Sequence, residues 1–189
     1  MDILFASNNI NKHIELQNIF KASECKHNLV LYSDIPEVLE DKLTIEDNAQ
    51  KKAQVCFEKF QIPIIADDSG LFVKALSEKP GVHSKRYAGE TANDSENIKK
   101  IVNDLNNVTD LSAEFRTVLC FYDGSEFIFS EGILTGKIIL SPRGNNGFGY
   151  DSIFEVEGKT LAEMTLEEKS QISHRKIATV KLVKLLNEI

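Results

Sequence analysis

The sequence predicts an α/β fold: a mixed, elongated β-sheet flanked by helices. Strand-like and helix-like segments alternate at both ends of the chain, and a hairpin-like pair of β-rich segments sits between them. With 189 residues, 42% of them hydrophobic, the chain can build one substantial core. A single domain over residues 1–189, with two lobes, is the expectation.

The elements follow in order. Ile3-Leu4-Phe5-Ala6 is continuously apolar and stops at Ser7-Asn8-Asn9, as a short buried strand would. Leu16, Ile19 and Phe20 then fall at helical spacing, and Leu29 to Tyr32 is a second strand candidate. Thr44 opens a helix carrying Ala49, Ala53, Val55 and Phe57. A buried strand from Ile62 to Ala66 is expected to end on Asp67-Asp68-Ser69-Gly70, and Lys74 to Gly89, rich in Pro, Gly and Ser, reads as loop. Ile98, Ile101, Val102 and Leu105 form a helix stripe. Ala113 to Tyr122 and Glu126 to Ile138 are β-rich and joined through Asp123-Gly124, a hairpin signal. A glycine-dense loop from Arg143 to Tyr150 leads to the short strand Ile153-Phe154. The last helix follows Ser173, with Ala178, Leu182, Leu185 and Ile189 expected on its apolar face.

Net charge is −7. A duplex-binding protein carries a basic field, so nucleic acid is not expected as a partner. Binding a polyanion would require local cations or a metal ion. Cys25, Cys56 and Cys120 are scattered, without a CxxC pair or a nearby His cluster. That pattern argues against disulfides and zinc, and for reduced thiols in the cytoplasm. Neither a signal peptide nor an apolar run long enough to cross a bilayer is evident, so no membrane partner is expected.

Several segments carry residue types suited to phosphate chemistry. Ser7-Asn8-Asn9 with Lys12 lies between a strand and a helix, where backbone N–H groups and a lysine can hold phosphate oxygens, or where Ser and Asn simply cap the helix. Glu46 and Asp47 follow Thr44, either as capping acids or as oxygen ligands for Mg²⁺. Asp67 and Asp68 at the end of an apolar strand can hold a metal or take a proton from water; a simple Asp-Ser-Gly turn is the alternative. Phe148 and Tyr150, between Gly147, Gly149 and Asp151, can stack on a base or pack on the core. Lys169 precedes Ser173-His174-Arg175-Lys176, whose cations oppose the dipole at a helix start and therefore point to an anion or a hydrogen-bonding ligand.

In this order, the motifs resemble the Ham1-type inosine triphosphatase family along nearly the whole chain. The matching segments are Ser7-Asn8-Asn9 with Lys12, Asp47-Asn48-Ala49 with Lys52-Ala53, and Ala66-Asp67-Asp68-Ser69-Gly70-Leu71. Pro80-Gly81 with Arg86-Tyr87-Ala88-Gly89, then Gly147-Phe148-Gly149-Tyr150-Asp151 and Ser173-His174-Arg175, complete the set. Two positions depart from the family pattern: Asp47 stands where Glu is usual, and Ser152 where Pro is usual.

The resemblance implies a two-lobed fold with a central substrate cleft, a homodimer, and Mg²⁺-dependent hydrolysis of ITP, dITP and XTP to monophosphate and pyrophosphate. It implies Asp68 as base and metal-linked carboxylate, with Asp67 and Glu46 or Asp47 completing the Mg²⁺ shell. Lys12, Lys52 and the Ser7–Asn9 loop would hold the triphosphate, next to Ser69. Phe148 would stack on the purine, within the Gly149-Tyr150-Asp151 segment. Lys169 would touch base or phosphates, and His174 and Arg175, following Ser173, would donate to the keto oxygen at purine position six. A donor there leaves the adenine amino group mismatched. A related pyrophosphatase for modified pyrimidine or methylated nucleotides, an orthophosphate-releasing phosphatase and a non-catalytic nucleotide-binding module are the rival readings.

Overall fold

The computed structural model describes all 189 residues. Its strands are β1 (Asp2–Phe5), β2 (Asn28–Val30), β3 (Ile64–Val73), β4 (Lys79–Gly81), β5 (Ser112–Tyr122), β6 (Phe127–Ile138), β7 (Phe154–Val156) and β8 (Lys159–Thr160). Its helices are α1 (Ile10–Ala22), α2 (Ile45–Phe60), α3 (Asp94–Asp104), α4 (Leu166–Ile172) and α5 (His174–Leu186). The strands form an eight-stranded mixed sheet in the order β2-β1-β3-β5-β6-β7-β8, with β4 paired to β3. The chain divides into two compact units: Met1–Asp68 with Thr117–Gly132 and His174–Ile189, and Ser69–Arg116 with Ile133–Ser173.

In the first unit β1 runs parallel to β2 and to β3, with Leu4 opposite Val30 and Ile64. Side chains alternate along each strand, and this alternation creates two different faces. Ile3, Phe5, Ile65, Leu119 and Phe121 pack with Leu16 and Phe20 of α1 and with Ala178, Leu182 and Leu186 of α5. Leu4, Ile64 and Ala66 have the opposite parity and are also fully buried, as are Ala49 and Ala53 on α2. A side chain at Gly132 would stand 1.9 Å from the carbonyl oxygen of His174, so α5 approaches β6 there as only glycine permits.

In the second unit the remainder of β3 pairs antiparallel with β4, and β6, β7 and β8 form an antiparallel run. Leu71, Val73, Ile101, Leu105, Phe115, Ile138, Ile153 and Phe154 are among its core residues.

Four sequence expectations change. First, β3 does not stop at Ala66: it continues through Asp67-Asp68-Ser69-Gly70 to Val73. Gly70 marks a close approach rather than a turn, since a Cβ on it would lie 2.4 Å from the carbonyl oxygen of Gly81. Second, the Lys74–Gly89 segment contains β4 and two single turns, Lys74–Leu76 and Ser84–Arg86. Third, the Asp123-Gly124 connection spans four residues, closed by Asp123 Oδ1 accepting from the Ser125 and Glu126 amides at 2.8 and 2.9 Å. Fourth, α5 buries Ala178, Leu182, Val183 and Leu186, while Leu185 and Ile189 are exposed. The helix ends at Leu186, so the expected stripe holds at Ala178 and Leu182, slips by one position at Leu185, where Leu186 is the buried residue, and runs past the helix end at Ile189.

Candidate active site

The two acids of β3 sit inside the strand rather than at its tip, and neighbouring strand positions point to opposite faces. Asp67, 1% exposed, has the parity of Ile65 and meets α1 and α5: Lys12 Nζ donates to its Oδ2 at 2.8 Å and Arg175 Nε lies 3.7 Å from the same oxygen. Asp68, 5% exposed, meets α2: Asn48 Nδ2 donates to its Oδ2 at 3.0 Å, and Lys52 Nζ lies 3.5 Å from Oδ1. Lys52 reaches between them, donating to the Asp67 carbonyl oxygen at 2.8 Å and pairing with Glu40 Oε1 at 2.6 Å.

Electrostatics separate the two carboxyls. Burial disfavours the charge on Asp67, but Lys12, Arg175 and Lys52 outweigh it and hold the carboxyl well below the usual carboxylate range. Burial also opposes charge on Asp68, and Glu40 adds to that while Lys52 opposes it; the carboxyl is held above its usual value. The Lys52 ammonium resists desolvation because Asp68, Asp67 and Glu40 all favour its charged form.

In the loop before α1 the capping role is the one its bonds display. Asn9 caps the helix, its Oδ1 accepting from the Asn11 and Lys12 amides at 3.0 and 3.3 Å. Ser7 Oγ accepts from the Asn9 amide at 3.2 Å, and Asn8 Nδ2 donates to the Ile35 carbonyl at 3.1 Å. These bonds shape a turn that leaves Lys12 on the first helical turn, aimed at Asp67. At α2 the capping role accounts for Asp47, which exchanges bonds with Thr44 at 2.7 and 3.0 Å. Glu46 and Asp47 are both exposed, and no three His, Cys, Asp or Glu side chains gather into a potential metal site.

One of the cations at the start of α5 meets a carboxylate of the protein itself. Arg175, 2% exposed, donates from Nη1 to Glu15 Oε2 at 2.5 Å. His174 and Ser173 are buried beside it in the sequence. Ser69 follows Asp68 on β3 and is half-buried.

In the second unit Asp151 organises the glycine loop. Its Oδ2 accepts from the Phe148 amide at 2.9 Å and from Lys169 Nζ at 2.5 Å. Lys169 Nζ also lies 4.8 Å from the Phe148 ring centroid. A Cβ on Gly147, where φ is +78°, would stand 2.0 Å from that same Asp151 oxygen. Tyr150 is buried and donates its hydroxyl to the Ser84 carbonyl at 2.7 Å, so it packs on the core. Gly149 gives its amide to Asp94 at 2.7 Å.

Lys12, Lys52, Asp67, Asp68 and Arg175 thus belong to one network in the first unit, and Phe148, Gly149, Asp151 and Lys169 to another in the second. Glu15, Glu40 and Asp94 were not anticipated, and Asn48 entered only as part of the Asp47-Asn48-Ala49 segment, without a role. Glu15 carried a signal, a carboxylate within the apolar stripe of α1. Glu40 carried none, being one charge in a polar stretch.

The sequence model of the Ham1 family matches residues 3–185. The chain is 42% identical over 188 residues to a dITP/XTP pyrophosphatase of Flavobacterium psychrophilum, covering 97% of each. Among solved structures, a HAM1 protein from Coxiella burnetii superimposes with a TM-score of 0.91 at 35% identity over 100% of both chains. The Staphylococcus aureus Ham1 protein does so at 0.88 and 38%, over 100% of this chain and 99% of the other.

Proposed function

The chain belongs to the Ham1 family, and from that premise we propose that it is a dITP/XTP pyrophosphatase, hydrolysing non-standard purine nucleoside triphosphates to monophosphate and pyrophosphate. The position of Asp68 carries this reading: a buried carboxylate in mid-strand, hydrogen-bonded by Asn48 and within 3.5 Å of a lysine that also pairs with Glu40.

Phosphoanhydride hydrolysis is mainly a matter of positioning and charge. Lys12 and Lys52 supply the cations, and the N-terminus of α1 behind Ser7–Asn9 adds backbone donors for phosphate oxygens. Asp68 orients the attacking water and accepts its proton, held in place by Asn48. Attack falls on the α-phosphorus, and the lysines stabilise the pyrophosphate as it leaves.

The donor set fits a magnesium ion. Asp68 and Glu40 are two oxygen donors sharing one lysine, which leaves a net negative pair. Mg²⁺ typically takes one or two carboxylates and completes its shell with water and substrate phosphate, so a third protein carboxylate is not required. When bound, the ion neutralises phosphate charge. Glu40 takes the place considered for Glu46 or Asp47, and Asp67 serves Lys12 and Arg175.

Phe148 offers a ring face for the purine, with Lys169 beside it. A guanidinium has five N–H donors, so the Arg175 bond to Glu15 is compatible with donation to a purine keto oxygen, alongside His174. The proposal includes a homodimer, on the family resemblance, and a cytoplasmic setting, which the three free cysteines support. No helix is long and apolar enough to cross a membrane.

Hydrolysis of ITP in H₂¹⁸O tests the reaction. The label is expected in IMP and not in pyrophosphate; label in orthophosphate, or none in IMP, overturns α-phosphorus attack.

A further inference from the structure

We propose that Asp94 is a positioning residue for the nucleobase: from the first turn of α3, its carboxylate fixes the Phe148–Gly149 peptide so that the Phe148 ring presents its face. The inference rests on the stacking role proposed for Phe148.

An acid in the first turn of a helix ordinarily serves that helix. Here capping is already complete without Asp94. Asn93 Oδ1 accepts from the Glu96 amide at 3.0 Å, and Glu96 Oε2 accepts from the Asn93 amide at 2.8 Å. The Asp94 carboxylate instead reaches a loop 55 residues away and accepts from the Gly149 amide at 2.7 Å. It works from a firm base. Asn97, 2% exposed, accepts from the Ala88 amide at 2.8 Å and donates to the Lys85 carbonyl at 3.0 Å, tying α3 to the preceding segment.

The loop needs such a tie. Its backbone enters the left-handed region at Gly147 (φ +78°) and at Gly149 (φ +60°), where glycine is conformationally permissive and supplies no side chain to restrain the chain. Asp151 holds the amide before the Phe148 side chain, and Tyr150 anchors the loop to the core through Ser84. Asp94 holds the peptide immediately after Phe148, and with the amides on both sides fixed, the backbone from which the ring projects is set. Asp94 is itself exposed, so its effect is expected on the loop rather than on global folding.

The test combines steady-state kinetics on ITP with amide exchange at Gly149, for the full chain and the variants Asp94→Ala, Asp94→Asn, Phe148→Ala and Asp94→Ala/Phe148→Ala. Loss of a charge-assisted hydrogen bond that aids substrate and transition state alike is expected to raise KM about tenfold in Asp94→Ala and leave kcat within about twofold. Asp94→Asn keeps an acceptor oxygen and is expected to restore both KM and slow exchange. The double variant is expected to be no worse than Phe148→Ala alone, since both changes act on one contact. An unchanged KM in Asp94→Ala, or effects that multiply in the double variant, overturns the proposal. The exchange measurement needs no substrate: Gly149 exchange that is not accelerated in Asp94→Ala overturns it too. Failure of the wild-type protein to turn over ITP is a separate result and strikes the proposed function.

Discussion

Asp67 and Asp68 are adjacent in β3 but engage different helices: Asp67 is paired with Lys12 of α1 at 2.8 Å, and Asp68 is bonded by Asn48 of α2 at 3.0 Å. Strand alternation turns one acidic dipeptide into two sites with different duties. The Asp67 side is closed by two cations. The Asp68 side holds one lysine against two carboxylates, and so retains negative charge that a divalent cation would use.

Asp68→Asn keeps the shape and the bond to Asn48 while removing the proton acceptor. Pyrophosphate release is expected to fall by about 10²-fold or more, with circular dichroism and the melting profile close to wild type. Activity near the wild-type level removes Asp68 from the role of base.

Glu15→Ala leaves the Arg175 guanidinium buried without its nearest carboxylate. Breaking a buried ion pair from one side costs about 3–5 kcal/mol, to be read as a shift of the urea midpoint. A loss below about 1 kcal/mol, the range of exposed pairs, means that the site is more hydrated than its 5% and 2% exposures indicate.

Gly70→Ala places a methyl group 2.4 Å from the Gly81 carbonyl oxygen. Overpacking of that kind costs about 1–3 kcal/mol, and because the strained contact is backbone, a compensating side-chain change nearby should not recover it. Equal stability of Gly70→Ala and wild type in denaturant titration contradicts the close β3–β4 approach.

The thiols should divide by burial. Burial pushes the Cys56 thiol up to about 11 and the Cys120 thiol up to about 12, the latter aided by Glu46. At pH 8 a thiol of pKa 11 is ionised to only ~10⁻³, and the thiolate is the nucleophile. Iodoacetamide should therefore label Cys25 alone in the native protein and all three cysteines after denaturation, as mass spectrometry would show. Native labelling of Cys120 contradicts its placement.

Chelation by EDTA is expected to abolish pyrophosphate release, and Mg²⁺ to restore it. Glu40→Gln should raise the Mg²⁺ concentration needed for half-maximal rate by about tenfold or more, following the loss of one charged ligand, whereas Glu46→Gln should leave it unchanged. The reverse ordering returns the metal to the start of α2.

Much of this was legible in the sequence because it depends on local pattern. Continuous apolar runs located β1 and the first half of β3, and the Ile98, Ile101, Val102 and Leu105 stripe located α3. The cations of His174-Arg175-Lys176 at a helix start signalled an anion nearby. What was not legible depends on distant partners. Nothing local says that Glu15 and Arg175, 160 positions apart, will meet, or that Glu40 will share Lys52 with Asp68. Asp67-Asp68-Ser69-Gly70 carried the composition of a turn, and only its place in the sheet, with neighbouring strands distant in sequence and β4 paired to its far end, shows it to be strand. The end of α5 went one position out of register because Leu185 and Leu186 are equally apolar, and only packing in the first unit's core, which takes Leu186, chooses between their faces.

Pyrophosphate release from ITP, XTP, GTP, ATP, CTP and UTP, each with and without Mg²⁺, tests the proposed activity most directly. Rapid Mg²⁺-dependent release from ITP and XTP, with ATP and GTP nearly inert, is the predicted result. Release from a pyrimidine nucleotide in preference to ITP and XTP, or no turnover of any of the six, would contradict it.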